Sequence, residues 1–390
     1  VTAPAPGRTY LDWAATAPLR PEALAAMAAQ LGGPAGNPTG AHHEARQARR
    51  ALDDARDAVA DLLGARPGEV VLTSGGTEAD SLAVHGGFDG VAAAGGPTGA
   101  VVCSAIEHHA VLEACRSLAR RTGAELRLVG VTSEGVVDLG ALAAALSDDV
   151  ALVSVMAVSN EVGTVQPLER VASTVRNRAP RALLHTDAVQ AAPWLDVAPL
   201  VAACDLVSVS AHKFGGPVGT GALVVRDGTA LRARLEGGGQ ERGRRSGTPD
   251  AAGAAGMAAA LAVAVAGRDD DGAQVRARRD RLEAGLLAVV PGAVASGGGV
   301  ERAPGICHLR IPGVEAEALV VLLDQLGLAT SAGASCSSGA TEPSHVLLAM
   351  GLDRAAAASG LRLSLGVTTT DDDVARALEI VPAAIARLRD

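Results

Sequence analysis

One chemical group is used once in this chain. Of its 34 lysine and arginine residues all but one are arginine, and the exception is Lys213, in Ser210-Ala211-His212-Lys213-Phe214-Gly215-Gly216. An ammonium can shed its proton and condense with a carbonyl; a guanidinium does neither readily. Coding bias explains the shortage of lysine but not the place of the survivor. It follows an apolar run directly and stands beside Ser210, His212 and a glycine-rich turn, which suits an imine-forming amine next to an anion holder. Cys336 is the second candidate, within Thr330-Ser331-Ala332-Gly333-Ala334-Ser335-Cys336-Ser337-Ser338-Gly339. A thiol in such a stretch has little to pack against, should be mobile and invites oxidation, so a nucleophilic role outweighs a structural one. Cys103, Cys115, Cys204 and Cys307 stand in apolar contexts and read as small core residues.

Other polar residues fall where apolar runs end. Ser74-Gly75-Gly76-Thr77-Glu78 could bring backbone N–H groups and a helix N-terminus to a phosphate, though such turns often use glycine for purely structural reasons. Asp187 could pair with a protonated heterocycle nitrogen or simply cap the next turn. His108 could stack on a planar ring or be structural. Asn160, in Ser159-Asn160-Glu161-Val162-Gly163-Thr164, makes a fourth such position. Arg242, Arg244 and Arg245 read as a solvated face or an anion contact, and Gly237–Gly239 as a plain loop.

These residues need a scaffold that gathers them. Apolar runs at Glu69–Thr73, Ala100–Ser104, Leu126–Val129, Val150–Val155, Ala182–His185, Leu206–Ser208 and Ala222–Val225 predict seven strands. Helical patterns lie between them at His43–Leu63, Thr77–Gly86, His109–Arg121, Leu139–Leu146 and Leu168–Arg178. Alternation of this kind predicts βαβ units and a mostly parallel sheet, with its site beyond the strand C-termini. After the Ala/Gly-rich stretch Ala251–Gly267 and a polar break at Gly267–Gly272, the pattern changes. A charged helix (Gln274–Val289), short strands (Ile306–Ile311, Leu361–Leu365) and a last helix (Asp371–Arg389) predict a smaller α+β domain. The expected division is 16–261 for the large domain, and 1–15 with 262–390 for the small one.

The 390 residues suffice for two or three domains, and a formal net charge of -9 argues against a nucleic-acid binder held by bulk charge. Five widely spaced cysteines suggest neither a disulfide framework nor a metal site. No secretory leader is visible, and Ala251–Gly267 is too short and weakly apolar to span a membrane. The expected setting is the cytoplasm.

The order of motifs adds a resemblance. Tyr10-Leu11-Asp12, Gly36-Asn37-Pro38, Gly75-Gly76-Thr77-Glu78, Glu107-His108-His109, Thr186-Asp187-Ala188-Val189-Gln190, Ser210 to Pro217, Gly238-Gly239-Gln240-Glu241, Arg245-Ser246-Gly247-Thr248, Glu342-Pro343-Ser344-His345 and Leu361-Arg362-Leu363-Ser364 all occur in sequence. The chain resembles the cysteine desulfurases, class V aminotransferases of the fold-type I PLP enzymes, over nearly its whole length. The long loop around Cys336 resembles the IscS/NifS-like branch. Trp13, Ala17, Ser159 and Ala332 depart from the usual pattern.

The resemblance implies pyridoxal 5'-phosphate held as an imine by Lys213, with Asp187 at the pyridine nitrogen, His108 stacked on the ring and Gln190 at the ring hydroxyl. Gly76, Thr77, Ser210 and His212 would hold the phosphate, with Thr248 from a second subunit, hence a homodimer. Arg362 would bind the substrate carboxylate, with Asn160 and Asn37 nearby. L-cysteine would become L-alanine, its sulfur leaving as a persulfide on Cys336 for an acceptor protein. The competing expectation is another class V enzyme, an aminotransferase or a C–S β-lyase without sulfur relay.

Overall fold

The computed structural model describes residues 7–33, 35–333 and 343–389; Cys336 lies outside them. Among the described residues twelve strands form three sheets: β1 (Thr9–Tyr10), β2 (Val70–Thr73), β3 (Ala100–Ser104), β4 (Glu125–Val129), β5 (Val150–Ser154), β6 (Leu183–Asp187), β7 (Leu206–Ser210), β8 (Gly221–Val225), β9 (Val294–Ala295), β10 (Ile306–Arg310), β11 (Leu328–Ala329) and β12 (Gly360–Ser364). The large sheet has the order β2-β8-β7-β6-β5-β3-β4. Its pairs are parallel except where β8 meets β2 and β7.

Composition explains which strands lie inside. β2, β3, β5, β7 and β8 are buried at every position and read Val-Val-Leu-Thr, Ala-Val-Val-Cys-Ser and the like, as strands covered on both faces must. β4 is one of the two edges, and its Glu125 and Arg127 keep that edge charged. One face packs on helices His43–Leu63 and Ala251–Ala266, the other on Gly76–Ser81 and His109–Thr122. With so few aromatics, both cores are built from Val, Leu and Ala.

A second core joins Leu11, the helices Arg268–Val289 and Asp371–Arg389, and the antiparallel strands β10 and β12. β1 pairs in parallel with β11, which places the N-terminal segment in this second unit. Two expectations need correction here. Residues 268–272 are not a break: Asp269, Asp270 and Asp271 form the acidic first turn of the helix Arg268–Val289, where they favour its dipole. The division at 261/262 cuts the helix Ala251–Ala266, whose Leu261 and Ala264 belong to the first core.

The helix expected over Thr77–Gly86 begins at Gly76, passes through a π turn at Leu82–Gly86 and resumes over Gly87–Ala93. The segment through Arg232 docks there, with Arg232 N–H donating to the Gly86 carbonyl (2.9 Å). Nothing local in the sequence announces that contact. Among the described residues no single helix is long and apolar enough to cross a membrane.

Candidate active site

Parallel strands put their C-terminal ends on one rim, and the site is there. β6 ends on Asp187, β7 ends on Ser210 and turns at once through His212 and Lys213, β3 leads to His108, and β5 leads to Asn160. These residues, with Gly76, Thr77 and Gln190, line a single cavity of about 260 Å³.

Lys213 is held by backbone. Its Nζ donates to the carbonyls of Ala14 (2.7 Å) and Ala15 (2.9 Å). Burial, and then the charge of Arg362, lower the amine to about 8, against the pull of Asp187 and Asp12. An amine in that range becomes a free base only slightly above neutral pH, where it can add to a carbonyl or take a proton. The same segment holds two neighbours. Gln190 Nε2 donates to the Ala14 carbonyl (2.6 Å), and His212 Nδ1 lies 3.2 Å from Thr16 Oγ1. Ala14–Thr16 thus orients three site residues, two of them through the carbonyls of Ala14 and Ala15, a role alanine side chains could not reveal.

Asp187 and His108 each take a capping role and also line the cavity. Asp187 Oδ1 accepts from Val189 N–H (2.8 Å), capping the following turn, while the side chain faces the cavity. Burial pushes its carboxyl up to about 6, although Val189 N–H and Lys213 oppose that. His108 Nδ1 accepts from Ala110 N–H (3.1 Å) and so caps the helix His109–Thr122. Burial and then Lys213 lower His108 to about 4, so its ring stays neutral and carries its proton on Nε2.

A cradle for an anion lies opposite. Gly75 has φ +138, and a Cβ on Gly76 would sit 3.0 Å from Val189 Cγ2 and 3.5 Å from Ser210 Cβ, filling the space in front of the helix N-terminus. Thr77, Ser210 and His212 face the same space. Glu78 stiffens it, accepting from Ser74 N–H (2.6 Å) and pairing with Arg245 (2.7 Å). A poised amine, a buried carboxyl, a neutral imidazole and an anion cradle around one cavity fit pyridoxal 5'-phosphate, with its aldehyde, ring nitrogen, planar ring and phosphate.

Arg362 approaches from the second unit. It is buried, donating from Nη1 to the Asn160 carbonyl and from Nη2 to Asp12 Oδ1, both at 2.8 Å. Its Nε is buried without a partner among the described residues, and Arg362 stands behind Asn160 rather than among the residues that line the cavity. Ser159 Oγ accepts from the N–H groups of Glu161 and Val162, each at 3.3 Å, and fixes the turn that presents Asn160. The departure at Trp13 has a packing reason: a Cβ on Gly366 would lie inside the Trp13 indole.

Two expected residues are elsewhere. Asn37 is exposed, its Oδ1 engaged by Thr39 N–H (3.0 Å) and Oγ1 (2.9 Å), and it does not line the cavity. Thr248 is likewise exposed and outside the cavity. Of the three arginines, Arg245 pairs with Glu78, while Arg242 and Arg244 bond the carbonyl oxygen of Gly68. Sequence reasoning missed Asp80, Met156, Val158 and Val189 as cavity residues. Asp80 alone had a signal, lying one helical turn after Gly76 and Thr77.

Comparison with known proteins gives a consistent result. The sequence model of the family described as aminotransferase class-V matches residues 9–377. An IscS-like cysteine desulfurase of Mycobacterium tuberculosis is 43% identical over 383 residues, covering 97% of each chain. A cysteine desulfurase of Cereibacter sphaeroides is also 43% identical, covering 98% of this chain and 97% of its own. The solved structure of a NifS-like protein superposes with a TM-score of 0.88 at 32% identity, over 97% of this chain and 100% of the other.

Proposed function

The chain belongs to the class V aminotransferase family, in its IscS/NifS-like cysteine desulfurase branch, and from that premise we propose how its own residues divide the work. It is a PLP-dependent enzyme that converts L-cysteine to L-alanine and passes the sulfur on as a persulfide. Bound pyridoxal phosphate supplies the electron sink that acidifies the Cα proton of its amino-acid substrate.

Lys213 holds the coenzyme, and its amine, oriented by the Ala14 and Ala15 carbonyls, moves the Cα proton. Asp187 would hold the ring nitrogen, His108 would cover the ring and Gln190 would meet its hydroxyl, while Gly76, Thr77, Ser210 and His212, which line the same cavity, would hold the phosphate. Arg362 orients the substrate carboxylate beside Asn160. The Cys336 thiolate attacks the substrate sulfur. An S–S bond forms as the S–Cβ bond breaks, and the electron pair of that bond stays with the carbon skeleton, which takes a proton and leaves as alanine.

Thr248 supports a homodimer. It is exposed and outside its own cavity, on a segment pinned by the buried pair of Glu241 with Arg56 (2.6 Å) and the part-buried pair of Arg245 with Glu78. A rigid outward loop suits a contact with the phosphate site of a second copy. The sulfur goes to an acceptor protein. The four described cysteines are unpaired thiols, which supports a reducing, cytoplasmic setting.

The observation that carries this reading is the sole lysine, half-buried and opening into the same cavity as Asp187. Cys336→Ala tests its sulfur step. The variant is expected to keep the coenzyme absorbance, to form no persulfide with labelled cysteine and to lose most sulfide release. Undiminished sulfide release would instead fit a β-lyase without relay.

A further inference from the structure

Beneath the cavity lies a layer of polar side chains that the reading above leaves unused. Strand register builds it. His185 pairs with Ser154 of β5 and Asp187 with Ser208 of β7, and residues two apart on β6 point to one face. His185 is fully buried and engaged at both nitrogens, Nδ1 with Ser154 Oγ (2.9 Å) and Nε2 with Ser208 Oγ (3.0 Å). Ser154 Oγ continues to Glu107 Oε1 (3.5 Å). At the other end Asp80 Oδ1 lies 3.6 Å from His185 Nε2. The result is a chain from Ser208 through His185 and Ser154 to Glu107, with Asp80 against its His185 end and Asp187 beside its middle.

Three carboxyls therefore share one dry region: Asp80, Glu107 and Asp187 are 1%, 0% and 5% exposed. Among the described residues the cation beside them is Lys213, and it acts on Asp187. Burial keeps the His185 ring neutral, lowered to about 3. Cys103 and Cys115, packed on the same layer, add no positive charge, and Arg116 on the helix His109–Thr122 is half-exposed. One positive charge cannot compensate three carboxylates in such a place. Hydrogen bonding agrees. Asp80 Oδ1 and Glu107 Oε2 have no partner among the described residues, a deficit that an ionised carboxylate tolerates far less than an acid. Burial, with the Asp187 charge, raises both carboxyls well above the usual range.

We propose that Asp80 and Glu107 are protonated carboxylic acids in the working enzyme and act as positioning residues, leaving Asp187 the single anion beneath the coenzyme ring. The proton positions concern the protein alone; their use rests on the assignment of Lys213 and Asp187 given above. A neutral Asp80 spares Asp187 a like charge, so Asp187 stays ionised at neutral pH and can hold a proton on the ring nitrogen. The two serines and His185 fix the acids in place.

Asp80→Asn and Glu107→Gln exchange each acid for a neutral group of the same shape. Difference infrared spectra against wild type, at about pH 8.5 so that an ordinary raised carboxyl is ionised, are expected to lose one carboxylic-acid C=O stretch in each variant. This readout needs no coenzyme. In the holoenzyme, Asp80→Asn is expected to leave the midpoint of the coenzyme's absorbance–pH titration in place. A midpoint shifted by about one pH unit or more, the size a neighbouring like charge produces, with no acid band lost, would show Asp80 charged and overturn the proposal. Should a variant fail to fold, the wild type decides alone: the absence of any acid band at that pH overturns it. Acid bands in a protein that takes up no coenzyme would uphold the protonation and sink the assignment of Lys213.

Discussion

Two buried imidazole–carboxyl neighbourhoods flank the site, and they are built differently. Around His185 and Asp187, adjacent strands in register supply a partner for each ring nitrogen. Around Glu161 and His308, four separate segments meet: the turn at Ser159–Val162, β10, β12 and the stretch ending at Gly333. There both His308 nitrogens and Glu161 Oε1 lack partners among the described residues, and the pair stands 3.9 Å apart. Burial lowers both imidazoles to about 3, and raises Asp187 to about 6 and Glu161 to about 7. In the first neighbourhood both imidazole nitrogens are engaged, and the unpartnered atoms are carboxyl oxygens of Asp80 and Glu107. In the second, among the described residues, the imidazole itself is left without partners, close to Arg362.

Breaking the first neighbourhood should cost most. Lys213→Ala removes the amine, and turnover of cysteine is expected to fall by roughly 10⁴-fold, the upper range for a lost acid–base group. Reduction with borohydride should then fix no coenzyme to the chain; covalent coenzyme in that variant would refute the assignment. Arg362→Gln probes the second neighbourhood. It is expected to raise KM for cysteine by roughly 30-fold or more, from the loss of about 2 kcal/mol or more in a buried charged contact, with kcat changed far less. An unchanged KM would remove Arg362 from the substrate site.

The smallest effect sharpens the contrast. Glu161 rises from 4.5 to about 7 on folding, so the folded chain holds a proton that the unfolded chain releases between those values. Stability therefore falls as pH climbs through that window, by at most about 3 kcal/mol. Glu161→Gln is expected to flatten the Tm–pH profile there. A slope equal to that of wild type would show that the carboxyl titrates normally.

The sequence made the first neighbourhood far more legible than the second. Strands ending on Asp187 and Ser210, with Lys213 just beyond, follow from apolar runs and from residue types that stand out singly. Chemistry named the residues and β-alternation placed them. Asp80 and His185 were harder, because a buried acid or imidazole looks like any other polar residue until its neighbours are known. Glu161 and His308 left no pattern, since they meet across segments more than 140 positions apart, and no local periodicity reports such an encounter. Thr9–Tyr10, Val294–Ala295 and Leu328–Ala329 escaped for a simpler reason: two residues carry no alternation.

The grip of Ala14 and Ala15 on Lys213 has a bearing on how the protein is made. The partners are 199 and 198 positions apart, and the adjoining strand pairs Thr9 with Leu328. A growing polypeptide therefore exposes its clamp long before the amine exists, and secures that clamp only after the last third has emerged. Contacts so distant along the chain close late. The aim of Lys213 thus waits on residues as far along the chain as Leu328.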